Sequence, residues 1–454
     1  MALPVLNLEF PRLSRALAGG CITLSSVYYK ETSMKCDKKT VKARTRASRG
    51  AQLGAAALGA AALLGLTSVQ AQTTYNVAGM ADFTGPYADV MKDITGCRKG
   101  VLDWWNEEVG KSMGAALKIK EYDSHYDVAQ IASLWPGVKS ELNPIAILGV
   151  GGPDTAALQQ RLPTDKVPLI IATAGYGFAW KPDSWVFNAR ATYPHEVAAF
   201  YQWLHKKRGV SGPIKVGVIS SEVSPAYVDI HKGTEKFAKD NPQTLEVLET
   251  IYTEAQPTDL TQQVGRLVRK GATILQVFNN TASVVAARRA LQSLGKTNIP
   301  IVVSAHNGLL SSGKAIGDLN QMEGNYEVYG MAMPTDDKTS ARAFFDKLRT
   351  TYKADVSYTT PCIMGLSQGM ITARAFEQAV KAKGAKGVTG EDVRTAMLTQ
   401  PLPTERSFGI LPSIQYGKDA PFPTVGMSVN IATVENGKYK IVEQNVPVPV
   451  ISKW

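Results

Sequence analysis

Cysteine and histidine are scarce in this chain of 454 residues, at four and five copies. Two of the cysteines, Cys21 and Cys36, fall in the N-terminal extension, which leaves Cys97 and Cys362 for the folded part. Two thiols so far apart make neither a disulfide framework nor a zinc site. Both sit in helical patterns and read as buried core thiols, with a single bridge between them as the alternative in an oxidising compartment. The histidines never pair at metal-ligand spacing. His125 and His231 read as solvated surface residues, whereas His306 lies in a loop after a strand. Catalytic signatures are also missing: there is no G-x-S-x-G elbow, no H-E-x-x-H and no Walker A loop. Residues 149–153 (GVGGP) begin a dinucleotide fingerprint without completing it. The expectation is a protein that is not an enzyme and needs no cofactor or metal.

A basic stripe on the folded part is lacking too. The net charge of +11 suggests nucleic acid or an acidic membrane, but residues 1–71 hold ten Lys or Arg against three Asp or Glu. The remainder carries 40 basic and 36 acidic residues, so no nucleic-acid footprint is expected there. The extension itself has the three parts of a secretory signal. Residues 34–50 are basic, residues 51–66 (AQLGAAALGAAALLGL) are apolar and uncharged, and Val69-Gln70-Ala71 offers small residues at the cleavage positions. Cleavage is expected at 71/72. At 16 residues the apolar stretch is short for a membrane span. Residues 1–33 fit no part of a signal, and Met34 is an alternative start. No later run is long and apolar enough to cross a membrane.

What is present from residue 75 onward is a regular alternation of strand-like and helix-like runs. Residues 75–83, 117–122, 145–150 (IAILGV) and 168–172 (PLIIA) read as strands. Continuous apolar runs of this length suit strands buried on both faces. Between them, 88–109, 128–142 and 154–162 read as helices, the last with Asp154 as N-cap. The rhythm repeats, with strands at 214–219, 245–252, 273–278 and 299–303 and helices at 195–207, 227–239, 260–270 and 282–294. Alternating βα units imply parallel sheets covered by helices, hence an α/β doubly wound architecture. An irregular, aromatic stretch at 175–194 separates the two series. Helices follow at 340–352, 361–383 and near 390–398, and then a hairpin turning at Glu435-Asn436-Gly437.

Ligands of open parallel sheets bind beyond the carboxyl ends of the strands. The segments found there are 84–87 (TGPY), 151–155 (GGPDT), 173–177 (TAGYG), 220–224 (SSEVS), 279–281 (NNT) and 304–308 (SAHNG). All are small, polar or aromatic. Any one of them is an ordinary turn or cap; six in register across two sheets point to a cleft. Trp104 and Trp105 read as packing residues, and Tyr176 and Trp180 stand equally as cleft-lining or packing residues.

These loops carry a resemblance. Residues 82–86 (DFTGP) after the first strand, Asn106-Glu107 closing the first helix, Tyr122-Asp123-Ser124 before Val128-Ala129, and 149–155, 170–175 (IIATAG) and 188–192 (NARAT) resemble, in order, the branched-chain amino-acid (Leu/Ile/Val) type of periplasmic solute-binding protein. That resemblance implies the type 1 periplasmic binding fold, two Rossmann-like lobes joined by three crossover strands with the ligand cleft between them. Lobe I would be 74–190 plus 334–418, and lobe II 191–333 plus 419–454. It further implies a monomeric receptor that captures a small solute by hinge closure in the periplasm and delivers it to the membrane permease of an ABC importer. Ligand residues follow position by position. Asp154 or Thr155 and the backbone of Ala174, Gly175 and Tyr176 stand where the family holds a carboxylate. Tyr227 stands near its second-lobe aromatic, and His306 near the acid that holds an ammonium. Tyr87 suits an aromatic or aliphatic acid, and Asn279 and Asn280 an amide or carboxylate. The rival readings are a ligand sensor feeding a receptor or regulator and, further off, a periplasmic enzyme.

Overall fold

The computed structural model describes residues 72–454 other than 174–176, 210, 305–306 and 452. The proposed signal segment lies outside the described residues. Fourteen strands are present among those described. β1 (Thr73–Ala81), β2 (Ala115–Asp123), β3 (Ala146–Gly149), β4 (Leu169–Ile171) and β5 (Val186–Asn188) form one parallel sheet in the order β2-β1-β3-β4-β5. β6 (Ile214–Ser221), β7 (Leu245–Thr253), β8 (Ile274–Val277), β9 (Ile301–Val303) and β10 (Tyr326–Tyr329) form the parallel part of a second. A short pair, β11 (Gln415–Tyr416) and β12 (Pro423–Val425), precedes the hairpin of β13 (Ser428–Glu435) and β14 (Lys438–Pro447), which extends the second sheet antiparallel from β10.

Strand order reverses between β1 and β3 in the first sheet and between β6 and β8 in the second. Each reversal opens a crevice at the carboxyl ends of the strands. The chain passes between the sheets three times, after β5, after β10 and before β13. This is the two-lobed α/β fold expected from the sequence.

Most elements lie where the apolar periodicity places them. The helix Val128–Leu142 starts at Asp127, whose carboxylate accepts from the Gln130 N–H at 2.7 Å, and stops at Asn143, where φ is 43°. The hairpin turns through Asn436 and Gly437, with φ of 53° and 68°, as a tight turn between twisted strands requires. Four strands lie in segments read as irregular or left unassigned. β5, β10, β11 and β12 have two to four residues each, too few for a period to declare itself. Asp154 is not the N-cap of its helix. That helix begins at Gly152, and Asp154 is its third residue, reaching back to the Gly151 N–H at 2.7 Å.

The first lobe is organised by two helices, Ala88–Trp105 and Thr360–Lys383. They approach closely because Gly365 and Gly369 face the partner. A Cβ on Gly365 would stand 2.1 Å from the Ile94 carbonyl oxygen, and one on Gly369 2.9 Å from that of Arg98. Trp105 packs edge-on to Phe376, and Trp104 meets the stacked rings of Phe344 and Phe408 edge-on, the packing roles read from the sequence. Cys97 and Cys362 are not free thiols. They form a disulfide across this contact, with Cα atoms 5.4 Å apart and a sequence separation of 265. The helix-to-helix contact, rather than any local spacing, brings them together.

A bridge closing so long a loop removes much unfolded-chain entropy. Replacing both residues by Ser should lower the unfolding free energy by roughly 3–5 kcal/mol, read by urea titration with and without reductant. Equal stability of the oxidised and reduced wild-type protein would contradict a bridged native state.

Candidate functional site

The first wall of the site follows β1. Asp82 is fully buried and its carboxylate accepts from the Tyr87 N–H at 2.7 Å. Asp123, at the end of β2, accepts from the Phe83 N–H at 3.0 Å and from the Thr84 hydroxyl at 2.7 Å. A Cβ on Gly85 would lie 2.1 Å from Asp82 Oδ1, so only glycine fits between them. The loop is thus held so that Tyr87 opens the helix Ala88–Trp105 with its ring turned inward. After β3, Thr155 donates its hydroxyl to the Gly151 carbonyl at 3.1 Å, and after β4, Thr173 donates to that of Val150 at 3.1 Å. From the second lobe, Ser224 caps the helix Pro225–Asp240, and its hydroxyl lies 3.4 Å from the Tyr126 hydroxyl of the first.

These walls meet around a small space between the lobes. Tyr87, Val90, Met91, Tyr126, Val150 and Thr173 line it from one side, and Tyr193, Ala226 and Tyr227 from the other, with Ile94 and Met364 at the base. No charged side chain lines it among the described residues. Four tyrosines around it favour a flat or aliphatic body over a hydrated one. An open groove lies between Pro86 and Asp89 on one side and Gln256, Asn280 and Thr281 on the other. The lobes meet across it, with Gln256 Nε2 donating to the Pro86 carbonyl at 3.4 Å and Thr281 supporting the Asp89 carboxylate.

The sequence-derived site residues separate into three groups. Tyr87 and Tyr227 line the cavity together. Asp154, Thr155 and Asn280 stand at strand ends, but their polar atoms serve the backbone. Asp154 and Thr155 hold Gly151, while Asn280 caps the helix Thr281–Ser293 and accepts from the Ser283 N–H at 3.1 Å. Asn279 is buried beside it, and neither its amide nitrogen nor its oxygen has a partner among the described residues. Ala174, Gly175, Tyr176 and His306 lie outside the described residues.

Sequence reading missed Tyr126, Tyr193, Met91 and Met364. Tyr126 sits in a turn with φ of 52°, which hydrophobic periodicity cannot register, and Tyr193 begins a helix after the first passage between lobes. Trp180 packs on Phe422 and Trp454 rather than lining the cavity. His231 is buried against Tyr252, not solvated. Burial pushes the Asp82 and Asp154 carboxyls up to about 6.

A cavity at facing switch points, closed over by two lobes, defines a solute-binding protein rather than a surface-binding module. The chain belongs to the periplasmic binding protein family, whose match runs over residues 74–438. Among curated proteins none matches the sequence. Solved structures share the fold at low identity. A branched-chain amino acid ABC transporter protein from Thermus thermophilus, with bound valine, superposes with a TM-score of 0.71 at 16% identity, covering 82% of this chain and 96% of that one. A fatty acid ABC transporter substrate-binding protein from Thermomonospora curvata gives 0.67 at 21%, over 83% and 95%. An R. palustris solute-binding protein in complex with 4-hydroxybenzoate gives 0.63 at 19%, over 82% and 98%.

One electrostatic consequence lies at the edge of the second lobe. Glu327 is fully buried, accepting from the Leu309 N–H at 2.8 Å and from the Thr360 hydroxyl, and burial pushes it up to about 7. The folded protein therefore holds a proton that the unfolded chain releases near its ordinary 4.5. Stability from this group is full below that value, declines as pH rises to about 7, and is constant above. Asp82 and Asp154 act in the same direction, and His195, pushed down to about 4 by burial, acts against them. In Glu327→Gln the loss of unfolding free energy between pH 5 and 7.5 should shrink by about 2 kcal/mol, measured by urea titration at both values. An unchanged difference would mean that Glu327 is ionised in the folded state.

Proposed function

We propose that the chain is the solute receptor of an ABC importer and that its ligand is a small apolar carboxylate, aromatic or aliphatic, rather than an α-amino acid. The observation that carries this is the cavity wall, which has four tyrosines and no charged side chain among the described residues. An α-ammonium would stand there without a counter-charge, at a desolvation cost of several kcal/mol. A single carboxylate fares better, because the helices Ala88–Trp105 and Pro225–Asp240 both begin at the cavity and present the positive ends of their dipoles. The solved relatives with a fatty acid name and with 4-hydroxybenzoate support this class, and the valine complex supports the amino-acid alternative.

In the same reading, lobe I comprises 74–190 plus 334–418 and lobe II 191–333 plus 419–454. Ligand docks on the first lobe, the second closes over it, and the closed monomer is read by a membrane permease. Export would follow cleavage at 71/72, which places the receptor in the periplasm. Among the described residues no helix is long and apolar enough to cross a membrane. The chain acts by binding, without catalysis, and takes no nucleic acid.

The test is a thermal-shift series on residues 72–454 with branched-chain amino acids, fatty acids and hydroxybenzoates. Carboxylates lacking an ammonium should raise the midpoint with dose, by mass action. Tyr227→Ala should weaken their binding by roughly tenfold, on the scale of one lost aromatic contact. A shift confined to amino acids would overturn the ligand class while leaving the receptor in place.

A further inference from the structure

The segment after β14 returns to the edge of the cleft. Ile451 is buried in the core, and Lys453 Nζ donates to the Trp180 carbonyl at 2.6 Å. The Trp454 indole then enters a socket made by both lobes. On the first-lobe side it meets Trp180, with ring centroids 5.8 Å apart, and the bare backbone of Gly177, where a Cβ would stand 2.9 Å from the indole nitrogen. On the second-lobe side it meets His195 at 6.0 Å and Gly233, whose Cβ would lie 3.3 Å from the indole ring. Phe422, from the third passage between the lobes, packs on both Trp180 and His195 at 4.9 and 5.0 Å. Beside the indole, Asp229 accepts from the Gly177 N–H at 2.6 Å, a direct bond from one lobe to the other. The family match ends at residue 438, so this segment lies beyond it.

We propose that Ile451, Lys453 and Trp454 act as a strap that holds the two lobes together, with Trp454 as the residue that positions the first-lobe loop 177–180 against the helix Pro225–Asp240. Gly177 opens the first-lobe side of the socket, because a side chain there would occupy the space of the indole nitrogen, whereas one at Gly233 would meet Pro194 before the indole. Closure therefore depends on a contact outside the ligand cavity. The strap sets how much of the binding energy is spent on bringing the lobes together. In its ligand arm the proposal rests on the receptor reading; in its structural arm it does not.

The experiment compares the full chain with Trp454→Ala, Trp454→Phe and Gly177→Ala, without ligand, by small-angle scattering and hydrogen exchange. Far-UV circular dichroism serves as the fold control. Trp454→Ala and Gly177→Ala should enlarge the radius of gyration and speed exchange of the Gly177 amide, with helix content unchanged, and Trp454→Phe should restore most of both. With 4-hydroxybenzoate as probe, Trp454→Ala should bind roughly fivefold more weakly as the closed fraction falls. Wild-type scattering and exchange in both variants would overturn the strap whatever the probe does. Failure of the probe alone would count against the ligand class and leave the strap standing on scattering and exchange.

Discussion

Arg98 is a buried guanidinium on the helix Ala88–Trp105, and much of the first lobe is arranged to satisfy it. It pairs with Glu121 on β2 and donates to the Met80 carbonyl at 3.2 Å and the Leu148 carbonyl at 3.1 Å. It also donates to Gln368 Oε1 at 3.3 Å, and Gln368 Nε2 in turn donates to the Gly149 and Ile170 carbonyls, both at 2.8 Å. Two side chains from two helices thus hold the carboxyl ends of β1, β3 and β4 from beneath. A buried charge left short of partners costs several kcal/mol, so the strand ends, the helices and the glycine contact between them are fixed together. The loops that build the cavity begin one to three residues beyond those carbonyls, so the same hydrogen bonds fix where they start.

The second lobe is anchored by a different buried charge. Glu196 accepts from the Gly330 N–H at 2.8 Å and the Ser304 hydroxyl at 3.1 Å, and lies 3.1 Å from Arg190 Nε. Arg190 belongs to the first passage between lobes and Gly330 to the second, so one carboxylate ties two passages to the end of β9. The Arg190 guanidinium lies over the Tyr193 and Tyr329 rings at 4.8 and 4.6 Å. Tyr193 also lines the cavity. A rotation of the lobes about these passages therefore moves a cavity wall, which couples hinge geometry to the ligand space through a single residue.

The fold was legible because its central strands β3, β4, β8 and β9 are buried along their whole length and many of its helices are amphipathic, so the period changed at most boundaries. Residues 145–150 could be little else than a buried strand. β5 and β10 escaped because three or four residues carry no period. The disulfide stood only as the alternative to two core thiols because Cys97 and Cys362 are joined by packing over 265 residues, and no spacing rule reaches so far. At the site, the strand-end rule found Tyr87 and the family resemblance found Tyr227, and both line the cavity. The strand-end rule could not separate residues that face a ligand from residues that hold the loop, since caps and contacts use the same side chains. Asp154, Thr155 and Asn280 are polar, placed at strand ends, and engaged with backbone. Tyr126 follows the end of β2, a loop left out of the strand-end reading, and Met364, inside the helix Thr360–Lys383, has no strand-end position to announce it.

That division has a chemical meaning. The polar atoms gathered at these loops are spent on fixing the backbone, and what remains facing the cavity is ring and aliphatic surface. Selection in such a site works through shape and exclusion of water more than through matched charges. An apolar pocket alone discriminates weakly, on the order of 1–3 kcal/mol per methylene, so a receptor built this way accepts a chemical class rather than one compound. Asn279 stands apart, buried with neither amide atom partnered among the described residues, and an unpaired buried amide costs stability unless something bonds it.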